Sequence, residues 1–279
     1  MKNQRFALNS IAGLGLTMLA LAPTSAKAQS ILCTPVTTVP YVMTTPGVYC
    51  LDRDLVYSGS GTAIEVQTSH VTLDLNGYAL RGPWQGVGIA ASNRAHVTVK
   101  NGTVRGFARG VSLRGFTGGA GSYDQGHVVE NVNVDWSKDV GIEVEGAGTI
   151  VRGNRVFGTT GPVSSGDSYG IRLVGARVQV IGNDVAETYG SGDGDSYAIH
   201  ANTLGAVIEG NRVGNVRLVS NTSFGIAIAG AETLVVGNRL STLDRGIVFL
   251  PAGSGKYRDN LASGVTVPYE GGTDSGNNQ

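Results

Sequence analysis

Tyr169-Gly-Ile-Arg-Leu, followed by Val178-Gln-Val-Ile-Gly-Asn183-Asp-Val, is the first of three copies of one short pattern between Ser168 and Leu240. It returns as Tyr197-Ala-Ile-His-Ala with Val207-Ile-Glu-Gly-Asn211-Arg-Val, then as Phe224-Gly-Ile-Ala-Ile with Leu234-Val-Val-Gly-Asn238-Arg-Leu. Each copy holds an aromatic and a small residue, an alternating apolar strand, a Gly-Asn turn and a second apolar strand. A repeat of this length with a fixed turn residue specifies a stacked solenoid.

The pattern extends in both directions. Turn asparagines at Asn76, Asn101, Asn131, Asn154, Asn183, Asn211, Asn238 and Asn260 mark about eight coils. Upstream of each lies a strand with apolar alternation, from Ala63-Ile-Glu-Val and Gly88-Ile-Ala-Ala to Gly225-Ile-Ala-Ile and Gly246-Ile-Val-Phe. Period two marks a strand with one buried face. A leucine-rich repeat would show Leu-x-x-Leu-x-Leu and a helical second half, and neither is present. The asparagines read as scaffold, because Asn accepts the left-handed turn conformation and stacked amides bond one another.

Composition narrows the class. High Gly (43 of 279) with few charges suits many tight turns between Val- and Ile-rich strands. Net charge is zero and Lys after residue 28 is confined to Lys100, Lys138 and Lys256, which argues against a nucleic-acid partner. Residues 1–28 read as a signal peptide: Lys2 and Arg5, an apolar segment from Phe6 to Ala22, and Ala26-Lys27-Ala28 before a cleavage between Ala28 and Gln29. A membrane anchor is the weaker alternative, because Asn9, Ser10 and glycines interrupt an already short segment; no later run could span a bilayer. An exported protein at the periplasm, outer surface or outside the cell is expected.

The Pro-rich segment 29–58 differs from the repeats and reads as an N-terminal cap over an open solenoid end. Its Cys33 and Cys50 form the even pair that an exported chain joins in a disulfide, with two buried free thiols as the alternative. Such a staple contributes on the order of 3 kcal/mol. The solenoid proper is placed at 59–267, and the polar tail 268–279 is expected to fray.

Val71-Thr-Leu-Asp-Leu-Asn-Gly-Tyr, Val97-Thr-Val-Lys-Asn-Gly-Thr-Val and the Gly-Asn-Arg-Val units resemble the repeat proteins of the pectin-lyase-like superfamily. Cys33 with Pro46-Gly-Val-Tyr-Cys50-Leu, and Tyr257-Arg-Asp-Asn-Leu, resemble its secreted bacterial members of unestablished function. The resemblance covers roughly residues 31–265. It implies an all-β, single-stranded, right-handed parallel β-helix with three sheets, and acidic polysaccharides as the usual ligands of active members. The Asp-Pro-His-Asp motif of mannuronan epimerases is missing. So are the Asn-Thr-Asp, Gly-His-Gly and Arg-Ile-Lys motifs of polygalacturonases, with Gly126-His127-Val128 the nearest approach. The pectate-lyase signature is missing too.

Aligning the first strand of every coil yields an outward column, Glu65, Ala90, Ser112, Glu143, Arg172, His200, Ala227 and Val248. The next column is Gln67, Ser92, Arg114, Glu145, Val174, Asn202, Ala229 and Leu250. Residues in adjacent coils become neighbours, so polar groups gather in the middle of the stack. For lyase or epimerase chemistry on a uronate, Arg172 would hold the sugar carboxylate, His200 would act as base, and Tyr169 or Tyr197 would protonate the leaving oxygen. Arg114, Glu145 and Asn202 are candidate substrate contacts. Glycoside hydrolysis would instead pair Glu143 with Asp167 or Asp195. The bland reading of Glu143 and Arg172 is an exposed ion pair of little worth.

Long turns at 115–126, 158–168 and 188–196 could form a binding face or be surface insertions. Asp167, Asp193 and Asp195 are candidate Ca²⁺ ligands within them, although neither turn matches a known calcium loop. Arg155, Asp184, Arg212 and Arg239 read as a second charge ladder, with Arg212 and Arg239 left to bind an anion. His70, His96 and His127 read as surface residues. The leading expectation is a monomeric secreted protein that binds an acidic polysaccharide and, if catalytic, modifies it as a lyase or epimerase. The alternative is a non-catalytic structural or adhesive surface β-helix.

Overall fold

In a computed structural model that describes residues 33–116, 125–162, 166–216, 221–251 and 253–279, the chain forms a parallel β-solenoid of about eight turns. No helix is present among the described residues. The expected leader at 1–28 and its cleavage between Ala28 and Gln29 lie outside them, as do parts of the first two long turns. No helix among the described residues is long and apolar enough to cross a membrane.

Each turn contributes up to three strands, and each strand pairs in parallel with its equivalents one turn before and after. The first sheet contains Tyr41–Met43, Thr62–Val66, Val87–Ser92, Arg109–Arg114, Val140–Glu145, Ser168–Ala176, Ser196–Leu204, Ser223–Ile228 and the end of Arg239–Phe249. A second sheet stacks the strands that follow these, such as Gln179–Ile181 on Val207–Glu209, and a third stacks those after the asparagine turns, such as Asp184–Tyr189 on Arg212–Gly214.

The core runs along the axis inside these sheets. One of its columns is Ile64, Ile89, Val111, Ile142, Ile171, Ile199, Ile226 and Ile247, each in register with the next and fully enclosed. Enclosing a side chain of this size stabilises by about 1.5–3 kcal/mol relative to leaving it in water. The residue before each isoleucine also turns inward, where space is short. A Cβ on Gly170 would lie 2.5 Å from Val185 and 2.6 Å from the carbonyl oxygen of Ala198.

Both ends differ from expectation. In the segment read as a cap, the described residues 33–58 form strands of the solenoid itself: Thr34–Val36 pairs with Gly47–Leu51, and Leu55–Val56 joins the third sheet. The Cys33–Cys50 disulfide links adjacent strands there, with Cα atoms 5.7 Å apart. The tail is paired with the stack. Leu261–Glu270 pairs with Arg239–Phe249, Thr273–Asp274 pairs with Gly255–Arg258, and the last residues return to the asparagine turn, where Gln279 N–H donates to the Asn260 carbonyl.

The turn asparagines divide into two groups with different jobs. Asn76, Asn101 and Asn131 have positive φ (52°, 57° and 54°) and serve the left-handed conformation. Asn154, Asn183, Asn211, Asn238 and Asn260 are buried, and the positive φ falls on the residue before each, such as Gly182 or Gly210. The register shows the shift, because Asn133 pairs with Arg155 and so Asn131 lies opposite Gly153, not Asn154. From Asn183 onward each Oδ1 accepts from the backbone N–H and the Nδ2 of the asparagine one turn earlier, while Asn154 Oδ1 accepts from the Val132 backbone N–H. Asn183 N and Nδ2 both donate to Asn211 Oδ1 at 2.9 Å, and Asn211 repeats this on Asn238 at 2.9 and 3.0 Å. Asn278 closes the series by accepting from Asn260 at 3.1 and 3.0 Å.

Removing one amide from this column strands a buried N–H, a buried NH₂ and a carbonyl. Asn211→Ala is therefore expected to lower unfolding free energy by about 3 kcal/mol in chemical denaturation, whereas Asn76→Gly, at an exposed left-handed turn, changes it by less than about 1 kcal/mol.

Candidate functional site

The outward column of the first sheet forms as aligned. Glu65 pairs with Ala90, Ala90 with Ser112, Ser112 with Glu143, Glu143 with Arg172, Arg172 with His200, and His200 with Ala227, which meets Val248. In the next column Arg114 pairs with Glu145, Glu145 with Val174 and Val174 with Asn202. Lateral contact between the candidates thus follows from sheet register alone.

Glu143 is not half of an exposed pair. Its side chain is fully buried on the outer face, roofed by arginines. One oxygen accepts from Ser112 Oγ at 2.8 Å and from Arg114 at 2.9 and 3.2 Å, with Arg109 at 3.5 Å; the other accepts from Arg172 at 2.8 Å. Arg109 also holds Asp139 at 2.8 Å, and Arg114 lies 3.8 Å from Glu145. Burial by itself would push the Glu143 carboxyl up, but the Ser112 and Arg114 hydrogen bonds and the charges of Arg109 and Arg114 outweigh it and hold the group below its ordinary value. Three cations face three carboxylates across this cluster, so it is close to neutral.

One turn further on, the surroundings become aromatic. Tyr169 stacks on Tyr197 with centroids 5.2 Å apart, and Tyr197 stacks on Phe224 at 4.8 Å. His200 stands edge-on to both tyrosines at 5.5 and 5.4 Å. The Arg172 guanidinium lies 5.5 Å above the Tyr169 ring, and Arg245 lies 5.7 Å from Phe224 at the far end. Burial first, then the Arg172 charge, lowers the His200 pKa to about 4, so the imidazole is neutral at ordinary pH. Burial and then the Asp167 carboxylate raise both tyrosines to about 12, so both phenols keep their protons.

The acidic turns bring Asp167 beside this stack. One Asp167 oxygen accepts from Tyr169 Oη at 3.1 Å and the other from the Asp195 backbone N–H at 2.9 Å. Asp193 is exposed, and among the described residues no three His, Cys, Asp or Glu side chains are grouped to hold a metal ion. The candidate Ca²⁺ ligands Asp167, Asp193 and Asp195 belong to no such group. The second charge ladder is also rearranged: Arg155 pairs with Asp135 and Arg212 with Asp184, both at 2.6 Å, so Arg212 is not left over for an anion. His127 is not a surface residue either. It is fully buried, its Nδ1 accepts from Val97 N–H at 3.4 Å, and burial lowers its pKa to about 4.

Glu145 and Val174 border a cleft of about 670 Å³ with Phe116, Gln125 and Leu204, while Asn202 is exposed nearby. Residues not singled out from the sequence complete the site: Arg109, Ser112 and Asp139 around Glu143, and Phe224 and Arg245 along the aromatic stack. The signal was one alignment away, because Arg109, Val140, Tyr169, Tyr197, Phe224 and Arg245 are themselves a register column.

No family model, no curated protein and no solved structure matches the chain. The parallel β-solenoid stands on the strand register, and any activity must be argued from the residues.

Glu143→Ala leaves three arginines around an empty buried position and is expected to cost about 3–5 kcal/mol of stability. The carboxyl is held below its unfolded value of 4.5, so its contribution is present above that pH and fades as pH falls through the lower folded value. Urea melts across acidic pH should show a shallower acid-side loss in Glu143→Gln than in the parent chain.

Proposed function

We propose that this chain is an exported member of the pectin-lyase-like superfamily that binds an acidic polysaccharide along the outer face of its first sheet. The observation that carries the reading is the His200–Arg172 pair. A neutral imidazole adjoins a cation in register, with two protonated phenols edge-on to the ring. Export is supported by the Cys33–Cys50 disulfide and by the signal-like composition of residues 1–28.

The same groups fit β-elimination on a uronate. Arg172 would pair with the sugar carboxylate and stabilise the charge that grows on it. His200 would take the proton from the adjacent carbon. The electron pair left there forms the carbon–carbon double bond as the glycosidic carbon–oxygen bond breaks, and Tyr169 or Tyr197 gives a proton to the departing oxygen. Epimerisation would use the same base, with a proton supplied to the opposite face by a separate donor such as water. Arg114, Glu145 and Asn202 lie along the path of neighbouring sugar units. Glu143 then serves as a positioning residue: its carboxylate is saturated by Ser112 and arginines, which orients Arg172 and leaves the carboxylate poorly suited to act as a nucleophile or base.

That saturation also favours a second reading. If the arginines are present only to neutralise Glu143, the face is a structural charge cluster and the protein a non-catalytic adhesive solenoid.

Incubation with a panel of polyuronates should raise ultraviolet absorbance from unsaturated product, and Arg172→Ala or His200→Ala should abolish the rise. The rate should fall on acidification near the His200 value of about 4, not near 6.5. Retained binding in affinity electrophoresis without any absorbance change would remove the catalytic reading. Loss of both would leave the adhesive one.

A further inference from the structure

A second site lies away from this column, at the corner where the third sheet turns toward the first. Trp84 and Trp136 are the chain's two tryptophans, and both are partly exposed at 44% and 37%. Both also have left-handed backbone, with φ of 67° and 58°. Bulky side chains rarely adopt that conformation, which costs energy that the surroundings must offset.

The position of Trp136 in the stack makes the point sharper. Arg105 pairs with Asp135 and Asp135 with Phe157, so Trp136 lies between Gly106 and Gly158, whose φ is 73° in both cases. Neighbouring turns meet the same backbone demand with glycine, whereas this one keeps an indole that core burial does not explain. Trp136 rests against Gly158 and stands edge-on to Phe157 at 5.5 Å. Trp84, whose backbone N–H donates to the Gly106 carbonyl at 2.6 Å, meets Trp136 ring to ring at 6.3 Å and 60°. Gly106 adds no side chain between them, so the two indoles meet edge to face and leave part of each in water.

Arg105 is exposed and immediately precedes Gly106. Its register neighbours are already engaged: Asp135 pairs with Arg155 at 2.6 Å, and Arg81 with Asp54 at 3.1 Å. Arg105 takes part in no ion pair among the described residues. Flat apolar indole faces suit the carbon–hydrogen face of a pyranose ring, and a guanidinium suits a carboxylate or sulfate by paired hydrogen bonds.

We propose that Trp84, Trp136 and Arg105 form a binding subsite for an acidic sugar, a pyranose ring carrying a carboxylate or sulfate. The ring stacks on the exposed surface of the indole pair and its acid group pairs with Arg105. The subsite shares no residue with the His200–Arg172 column and stands whether or not that column is catalytic.

Because both tryptophans belong to the subsite, intrinsic tryptophan fluorescence of the full chain reports it directly. Titration with an oligouronate or a sulfated oligosaccharide should give a saturable change, and a neutral malto-oligosaccharide should bind at least about tenfold more weakly. Arg105→Ala, an exposed change that keeps both fluorophores and the fold, should weaken the acidic ligand by about tenfold or more. Trp136→Ala, read from Trp84, should do the same, and Trp136→Phe should recover part of the loss. Arg172→Ala and His200→Ala should leave the titration unchanged, which separates this site from the first. The arms with carboxylate and with sulfate identify the acid group. No saturable change with either acidic ligand, equal binding of the neutral one, or an Arg105→Ala titration like the parent's would overturn the proposal.

Discussion

A buried amide must find partners for two N–H groups and a carbonyl, and the column from Asn154 to Asn278 satisfies them only when each turn sits squarely on the next. Asn183, for example, gives its backbone N–H and Nδ2 to Asn211 while its other Nδ2 hydrogen reaches the carbonyl of Val151. Sliding any turn by one residue would leave several polar groups buried without partners, each costing about 1–3 kcal/mol. The hydrophobic core supplies most of the driving force but tolerates approximate registry. The amides do not, and they fix the register of the turns from Asn154 onward.

Fixed register makes chemistry on the outer faces a matter of stacking. Residues at equivalent positions are held side by side, so like groups accumulate unless the sequence alternates them. In the middle of the first sheet the chain alternates. Ser112, Glu143, Arg172 and His200 succeed one another, and Arg109 and Arg114 lean in from the turn before. The outcome is a carboxylate withdrawn from water beneath a cationic roof, next to an imidazole kept neutral. Further along, Tyr169, Tyr197 and Phe224 take the opposite course and stack like with like, which aromatic rings favour.

Much of this was written in the sequence, for a physical reason. Period-two alternation and repeated Ile positions report which face is inside, and alignment of repeats reports which residues touch. The column from Glu65 to Val248 needed nothing more. Alignment failed where one residue type serves two ends. Asn131 and Asn154 look equivalent, yet one occupies the left-handed position and the other the buried position beside it. Alignment also gives neighbours but not reach: that Arg109 and Arg114 would fold over Glu143 depends on long side chains that no periodicity describes. The polar tail misled because its composition resembles a loose end, while strand pairing, Asn278 and Gln279 tie it to the stack. His127 gave no signal at all, since a single buried histidine has no pattern.

The asparagine column has a direction as well as a register. Every side-chain carbonyl points toward the amino-terminal end and receives donors from the turn before, so the amide dipoles add head to tail, as peptide dipoles do along a helix. Its carbonyl end meets the backbone N–H of Val132 at 3.0 Å, and its amino end meets a carboxylate, Asp274, to which Asn278 Nδ2 donates at 2.6 Å. The solenoid is thus electrically polar along its axis, with an anion placed at the positive pole. Lengthening it by a further turn would require moving that charge along with the end, so the terminal aspartate closes the array as much as the chain's last strand does.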